Sequence, residues 1–286
     1  MYSPPDSTTA ARMRSAHQNA AEALGVVCGD GEFWGWAGRT LGRPGTGADG
    51  RRVWLRLITA PEEKASGKLW EGTEAAQEAF ADLGGHRPQL LAVHETVADG
   101  VAHRAELSEH VDAAVISADP VLRGPVHLPA DWWSGLRDVL RTVAEADTER
   151  VAVRRAYLDR AVPQYLGVEV PDRIRWTPAH GDLHWANLTM PLGILDWEGW
   201  GEAPYGYDAA TLYAYSLAEP DMAARVREAF PELGTPATWA GEAAIVAELL
   251  QTTARGDNQA LIDPLEVWAR RLRRSAQHVS SSCRAH

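Results

Sequence analysis

The sequence predicts an α+β fold in two lobes, a small antiparallel-sheet N-lobe at residues 1–111 and a mainly helical C-lobe at residues 112–286. Three observations predict it. Before residue 111, short β-branched and aromatic runs alternate with glycine, proline and Asp-Gly turns, and one helical stretch interrupts them. After residue 130, apolar residues recur at spacings of three and four, the helical period. At 180–198 a segment dense in Asp, Asn and His breaks the helices, and its apolar pair Ile194-Leu195 suits a short buried strand.

Composition bounds the function. With 286 residues and 45% apolar content the chain can bury a real core. Its 28 basic and 39 acidic residues give a net charge of -11, which argues against a nucleic-acid partner and suits a cationic small molecule, though surface solubility alone also explains an acidic balance. Cys28 and Cys283 imply neither a disulfide framework nor a cysteine metal site, so a reducing, cytoplasmic setting is expected. No basic region with an apolar core opens the chain, and no apolar run of about 18 residues suggests a membrane span. There is no internal repeat or coiled-coil heptad.

Taken in order, Thr8 or Thr9 is placed to cap an alanine-rich helix over 10–24, which Gly25 ends. Residues 32–41 read as two strands around a glycine-bearing turn. There Gly35 and Gly38 either shape the turn or let backbone N–H groups approach a phosphate, since no side chain stands in the way. Residues 45–50 read as an exposed hairpin turn and 53–58 as the next strand. A helix follows over 69–83 with Leu69, Thr73, Ala76, Phe80 and Leu83 on one stripe. Runs at 90–95 and 102–107 flank Asp99-Gly100, a strong hairpin signal, and complete a five-stranded sheet. After a linker at 119–129, Asp131 can cap a helix carrying Trp133, Leu136, Leu140 and Val143, and a second helix covers about 151–166. Three more helices are expected at about 221–230, 238–254 and 264–280.

The chemistry concentrates at 180–198. Folding 188–195 into a hairpin brings Asp182, Asn187 and Asp196 to one end. A carboxylate and an amide oxygen are hard donors that suit magnesium, with phosphates and water completing its shell, while a second carboxylate clear of the metal can accept a hydroxyl proton. Such a set serves phosphoryl transfer. His180, Asp182 and His184 also allow a transition-metal reading, for which no further His or Cys partner is evident nearby, and Asp and Asn in loops often only tie down turns.

His180-Gly181-Asp182, then Asn187, then Ile194-Leu195-Asp196-Trp197-Glu198 resembles the catalytic segment of the aminoglycoside phosphotransferase family, antibiotic kinases with a protein-kinase-like fold. The resemblance runs in element order from about Gly31 to the end, with its specific motifs confined to 180–208. It implies that Asp182 takes the hydroxyl proton, that Asn187 and Asp196 hold Mg2+, and that ATP or GTP is the co-substrate. By the same resemblance a loop at Gly35 and Gly38 covers the nucleotide phosphates. Arg56 stands where the fold carries a lysine, the chain's only lysines being Lys64 and Lys68 beyond Pro61. A carboxylate of the 69–83 helix should pair with that cation; Glu71, Glu74 and Glu78 are candidates, Glu71 being favoured if Gly72 breaks the helix. Glu109 and Val111 would lie in an adenine-binding hinge. His180 would brace the loop, and Asp208, which suits an N-cap, would accept backbone N–H bonds from it.

Trp185 packs into the core or stacks on a cationic substrate through its π face. Glu198 and Glu202 are acids able to face such a substrate, with Glu219, Asp221, Glu242 and Glu248 as further ones. Residues 199–207 are short and irregular, without a phosphosite, which points away from protein substrates. The activity the resemblance implies is phosphorylation of a hydroxyl on a small, cationic antibiotic, an aminoglycoside or a basic cyclic peptide of the capreomycin kind, conferring resistance. Its alternatives are a kinase for choline, homoserine or a sugar, and a binding module of weak catalysis, suggested by the missing strand lysine.

Overall fold

The computed structural model describes residues 3–282; Met1, Tyr2 and residues 283–286, Cys283 among them, lie outside the described residues. The chain divides into two compact units, Met1–Ala114 and Val115–His286.

The first unit opens with α1 (Ser7–Ala23), which starts three residues before the expected helix because Asp6, not a threonine, is its N-cap. The Asp6 carboxylate accepts the N–H groups of Thr8 and Thr9 at 3.1 and 3.0 Å, and its full charge suits the positive helix end better than a hydroxyl does. Short strands β1 (Val27–Cys28) and β2 (Phe33–Trp34) precede β3 (Thr40–Thr46) and β4 (Arg52–Pro61), and α2 (Lys68–Ala79) leads to the hairpin β5 (Leu90–Ala98) and β6 (Val101–Glu109). Asp99 and Gly100 both adopt positive φ in the turn, as a two-residue hairpin with the strands' right-handed twist requires. The sheet is antiparallel, in the order β1-β3-β4-β6-β5 with β2 also on β3, so it has six strands where the sequence suggested five.

Strand alternation divides this sheet into an apolar face and a charged one. Val53, Leu55 and Leu57 of β4, with Ala105 and Leu107 of β6, pack under Ala10, Met13, Ala20 and Ala21 of α1. Trp54, Arg56 and Ile58 occupy the alternate positions, opposite Ser108, Glu106 and Arg104 of β6. There Trp70 of α2 packs with Ile58 and Ala102. The α2 stripe is therefore rotated from the expected one: Trp70, Gly72 and Ala76 are buried while Leu69 is exposed, and Gly72 does not break the helix. The indole of Trp70 buries more apolar area than Leu69 would, which sets the rotation.

The strand β7 (Ala114–Val115) falls at the junction of the units, and the second unit is mainly helical. Its elements are α3 (Ala130–Ala144), α4 (Arg155–Leu166), β8 (Trp176–Ala179), β9 (Thr189–Met190), β10 (Gly201–Pro204), α5 (Tyr207–Tyr215), α6 (Pro220–Ala229), α7 (Trp239–Thr253) and α8 (Ile262–Ser282). α7 is buried nearly all round, as a helix packed against α4, α5 and α8 must be. β8 pairs antiparallel with β10, joining the chain just before His180 to the chain just after Trp200. Among the described residues no helix is long and apolar enough to cross a membrane.

Several groups make the first unit sensitive to acid, His17 and Glu32 among them. His17 on α1 is buried with its Nε2 3.0 Å from the Leu55 carbonyl, to which the neutral ring donates, and burial lowers its pKa from 6.5. Glu32 is held to about 2, from 4.5, first by its hydrogen bond from Arg14 and then by Trp34 and Arg43. Both pKa values are lower folded than unfolded, so both contributions are complete above the unfolded values and are lost as pH falls. Urea unfolding followed by tryptophan fluorescence should therefore show stability falling as pH drops below 6.5 and again below 4.5. His17→Gln should reduce the first decline, to which buried His103 also contributes, and Glu32→Gln only the second.

Candidate active site

The 180–187 loop is tied down from beneath by one carboxylate. Asp208 is the second residue of α5, whose N-cap is Gly206, so Asp208 is not the N-cap that the sequence suggested. Instead its Oδ2 accepts the His180 N–H at 2.7 Å and its Oδ1 the Gly181 N–H at 2.9 Å. Burial pushes the Asp208 pKa up, against the two backbone bonds, which lower it. Gly181 has φ +85 and passes so close to the Gly199 carbonyl that a Cβ would lie 2.7 Å from it, which only glycine tolerates.

His180 carries the constraint onward. Its fully buried ring packs edge-on to Trp197 at 4.8 Å, its Nδ1 accepts the Asp182 N–H at 3.3 Å, and its Nε2 lies 2.9 Å from the Leu195 carbonyl. The tautomer that satisfies both contacts is neutral with the proton on Nε2. Leu195 N–H in turn donates to the Asn187 carbonyl at 2.8 Å, and Leu188 and Ile194 form an antiparallel bridge. The hairpin at 188–195 thus sets Asn187 and Asp196 at its open end. Asp196 is exposed and sits in the left-handed region, φ 59 and ψ 63, which short polar side chains tolerate best after glycine.

The Asn187 side chain is fixed by its own donor, since Nδ2 bonds the Asp182 carbonyl at 2.9 Å. This turns the amide oxygen, the hard donor, to the opposite side. Asp182 is half-exposed, and its Oδ2 lies 3.5 Å from His184 Nε2. Burial alone would lower the His184 pKa, but Asp182, by charge and hydrogen bond, and Asp196 outweigh it and raise it. The Asp196 charge thus reaches the imidazole that contacts Asp182. Among the described residues no three His, Cys, Asp or Glu side chains form a group able to hold a metal ion. The oxygen donors of Asn187 and Asp196 nevertheless fit a hard cation such as magnesium, which takes few protein ligands and completes its octahedron with phosphate and water.

The family profile of the phosphotransferase enzymes matches residues 79–245, more than half of the chain. The chain belongs to that phosphotransferase family. It is an enzyme that transfers phosphate to a hydroxyl acceptor. Two solved structures share its kinase-like fold, each with a TM-score of 0.59 at 13% identity. One is the apo form of a thermostable mutant of aminoglycoside phosphotransferase APH(4)-Ia, matched over 91% of this chain and 98% of that one. The other is amicoumacin kinase hAmiN in complex with AMP-PNP, Ca2+ and Ami, matched over 96% of both chains. A comparison of the sequence with curated proteins returns no match.

The structure of this phosphotransferase decides between readings the sequence left open for some residues and places others elsewhere. Trp185 is fully buried, stacked on Trp132 at 6.5 Å and edge-on to Trp133 at 6.2 Å, with its Nε1 donating to Ser216 Oγ at 3.0 Å. It presents no face to a substrate. The Gly35 N–H is bound to the Thr40 carbonyl and the Gly38 N–H to the Gly35 carbonyl, both at 3.0 Å, so neither is available to a phosphate. A Cβ at Gly35 would strike Thr40 Oγ1 and one at Gly38 would strike Pro5, so both glycines answer to local packing. Glu71 is exposed, and its Oε1 accepts the Gly67 N–H at the start of its own helix.

The other expected residues keep positions open to their roles. Arg56 lies on the charged face of the sheet, 3.7 Å from Glu106. Glu109 ends β6 with its N–H on the Gln89 carbonyl at 2.9 Å, and Val111 follows it, half-buried. Glu198 and Glu202 are half-buried; Arg150 braces this stretch through the carbonyls of Glu198 and Trp200 at 3.2 and 3.3 Å. The sequence reading missed Arg104, Glu106 and the placement of His184. Its available signal was Arg104 and Glu106 in alternation with apolar residues inside a strand, a pattern that puts charge on one face.

If Asp208 holds the loop, Asp208→Asn, which puts a donor against one of two N–H groups, should cost about 1–3 kcal/mol in urea unfolding. It should also slow phosphoryl transfer by at least about tenfold. Unchanged turnover in a nucleotide-consumption assay would show that the loop holds its shape without this carboxylate.

Proposed function

We propose that the protein transfers the γ-phosphoryl group of ATP, or GTP, to a hydroxyl of a small cationic antibiotic, an aminoglycoside or a basic cyclic peptide. The observation that carries this reading is the ring of bonds at 180–196, which holds Asp182 half-exposed beside the fixed Asn187 amide, with the exposed Asp196 near enough to act on the same His184 ring. Asp182 accepts the acceptor's proton, and Asn187 and Asp196 hold the metal. When bound, magnesium supplies charge neutralisation to the β- and γ-phosphates. In the N-terminal unit Arg56 offers a permanent charge and a planar fork to phosphate. Asp208 and His180 position the loop. The similarity to a fold-mate solved with AMP-PNP and a divalent cation supports a nucleotide with a metal here.

A cationic acceptor is supported by the acids near Asp182. The Tyr207 hydroxyl donates to Glu248 Oε2 at 2.8 Å, and its pKa is raised well above the usual value, first by burial, then by Glu248 and also by Asp182. The nearby Tyr157 hydroxyl bonds Gln251 at 3.3 Å and is also under the charge of Glu248, after burial. A half-buried carboxylate framed by tyrosines within electrostatic reach of the proposed base suits an ammonium group near the reacting hydroxyl. A second reading, a binding module of weak catalysis, is favoured by the internally bonded N–H groups of Gly35 and Gly38 and by arginine at the usual lysine position.

Acceptor panels of aminoglycosides, basic cyclic peptides, choline, homoserine and sugars, scored by nucleotide consumption, should show turnover confined to the polycationic antibiotics. Asp182→Asn should lower kcat by about 10²–10⁴-fold with little change in nucleotide KM. Turnover confined to choline or homoserine reassigns the acceptor, and wild-type turnover no faster than the variant's leaves a binding module. Asp196→Ala should abolish the magnesium dependence of nucleotide binding, read by calorimetry with and without the ion.

A further inference from the structure

On the charged face of the N-terminal sheet, one buried carboxylate stands between two guanidinium groups. Glu106 and Arg56 are directly opposed across the β4–β6 ladder, and Glu106 Oε2 lies 3.7 Å from an Arg56 terminal nitrogen. Its other oxygen, Oε1, lies 3.3 Å from Arg104 Nε. The Arg104 guanidinium is fixed on its remaining edges by Glu95 at 2.6 Å and Glu74 of α2 at 2.9 Å. Burial would lower the Arg104 pKa, but Glu74, Glu95 and Glu106 outweigh it and raise it. Glu106 and Arg104 side chains are both 4% exposed, whereas Glu74 is 53% exposed.

We infer that Glu106, supplied by the adjacent strand, is the positioning residue for Arg56, and that Arg104 holds Glu106 in place. The inference rests on the reading of Arg56 as a phosphate contact. The geometry suits that task in two ways. At 3.7 Å the Arg56 pair is beyond hydrogen-bond range, so Glu106 aims the guanidinium by charge without taking its N–H donors. Glu106 is also anchored on the sheet, and Arg104 links it to Glu74 of helix α2. The solvent-screened Glu74 contact is the weakest link in that chain. Displacing α2 would break that contact and leave the Arg104–Glu106–Arg56 row intact. The Arg56–Glu106 contact is thus set by strand pairing.

The test compares ATP with adenosine, which lacks phosphate, as ligands of the full chain in calorimetry with magnesium present. Glu106→Gln should weaken ATP by at least about fivefold, the effect of a misplaced charge-assisted phosphate contact, and leave adenosine within about twofold. Glu74→Gln should leave both ligands within about twofold, and Glu106→Asp should recover part of the ATP loss. The sign is informative, because a carboxylate that merely repels phosphate would, once neutralised, tighten ATP. Tighter or unchanged ATP binding in Glu106→Gln overturns the inference. So does a loss that extends equally to adenosine, or a Glu74→Gln loss as large as that of Glu106→Gln. If Glu106→Gln does not fold, Arg104→Lys, which keeps the charge but loses the fork, should show the same selective loss, and its absence overturns the inference. Separately, if Arg56→Ala leaves ATP affinity unchanged, the reading of Arg56 as a phosphate contact fails, which the Glu106 and Glu74 arms do not decide.

Discussion

The buried Asp208 carboxylate is the constraint from which the 180–196 segment takes its shape. Removing a carboxylate from water costs several kcal/mol unless hydrogen bonds replace the hydration. Asp208 meets that cost with two short backbone N–H bonds, to His180 and Gly181, and burial still raises its pKa. His180 relays the fixed backbone to the Asp182 N–H on one side and the Leu195 carbonyl on the other. Leu195 returns to Asn187, and Asn187 to the Asp182 carbonyl, so the bonds close on themselves. No single member can move without leaving a polar group unpaired.

The N-terminal unit solves a different problem, that of keeping fixed charge beside an apolar core. Period-two alternation does this without any special device. Val53, Leu55 and Leu57 face α1, and Trp54, Arg56 and Ile58 face the other way. Burying Arg104 and Glu106 on that second face would be costly singly. Together with Glu74 and Glu95 they form a row in which each nitrogen of the Arg104 guanidinium and both Glu106 oxygens have a counter-charge. The row fixes the register of β4, β5 and β6 as well, because a one-residue slip would turn every charge into the α1 core.

How far the sequence could be read depends on whether the partners are near in the chain. Asp182, Asn187 and Asp196 fall within fifteen residues and one hairpin, so spacing alone brought them together. The Asp99-Gly100 turn and the helices after residue 130 were legible for the same local reason. The Arg104–Glu106–Arg56 row was not, because it exists only through the register of strands fifty residues apart. Asp208 read as a helix cap because an acid before an apolar run is the usual cap signal, while its bonds to the loop were to be expected from the family resemblance and not from any local pattern. Trp185 illustrates an ambiguity that no periodicity resolves, for an indole in a polar segment serves a core or a ligand equally well. Here Trp132 and Trp133 of α3 supply the core. Gly35 and Gly38 mislead likewise, since crowding by Thr40 and Pro5 demands glycine as firmly as a phosphate would.

Net charge is the weakest of the sequence arguments, and on the proposed reading Glu248 gives it local force. A total of -11 spread over the surface acts on a cation only within a Debye length of about 8 Å at physiological salt, and any acidic protein shares it. Glu248 differs from that background because the Tyr207 hydroxyl holds it, it is half-buried, and its field overlaps that of Asp182 on the same tyrosine. In that partly desolvated setting a charge pair is worth several times its value at the surface. On the proposed reading, an acceptor's ammonium group would be bound there, and the hydroxyl beside it would be presented to Asp182. Charge recognition and proton abstraction would then draw on the same small group of acids, so that discrimination among acceptors follows from where their amines stand relative to the reacting hydroxyl.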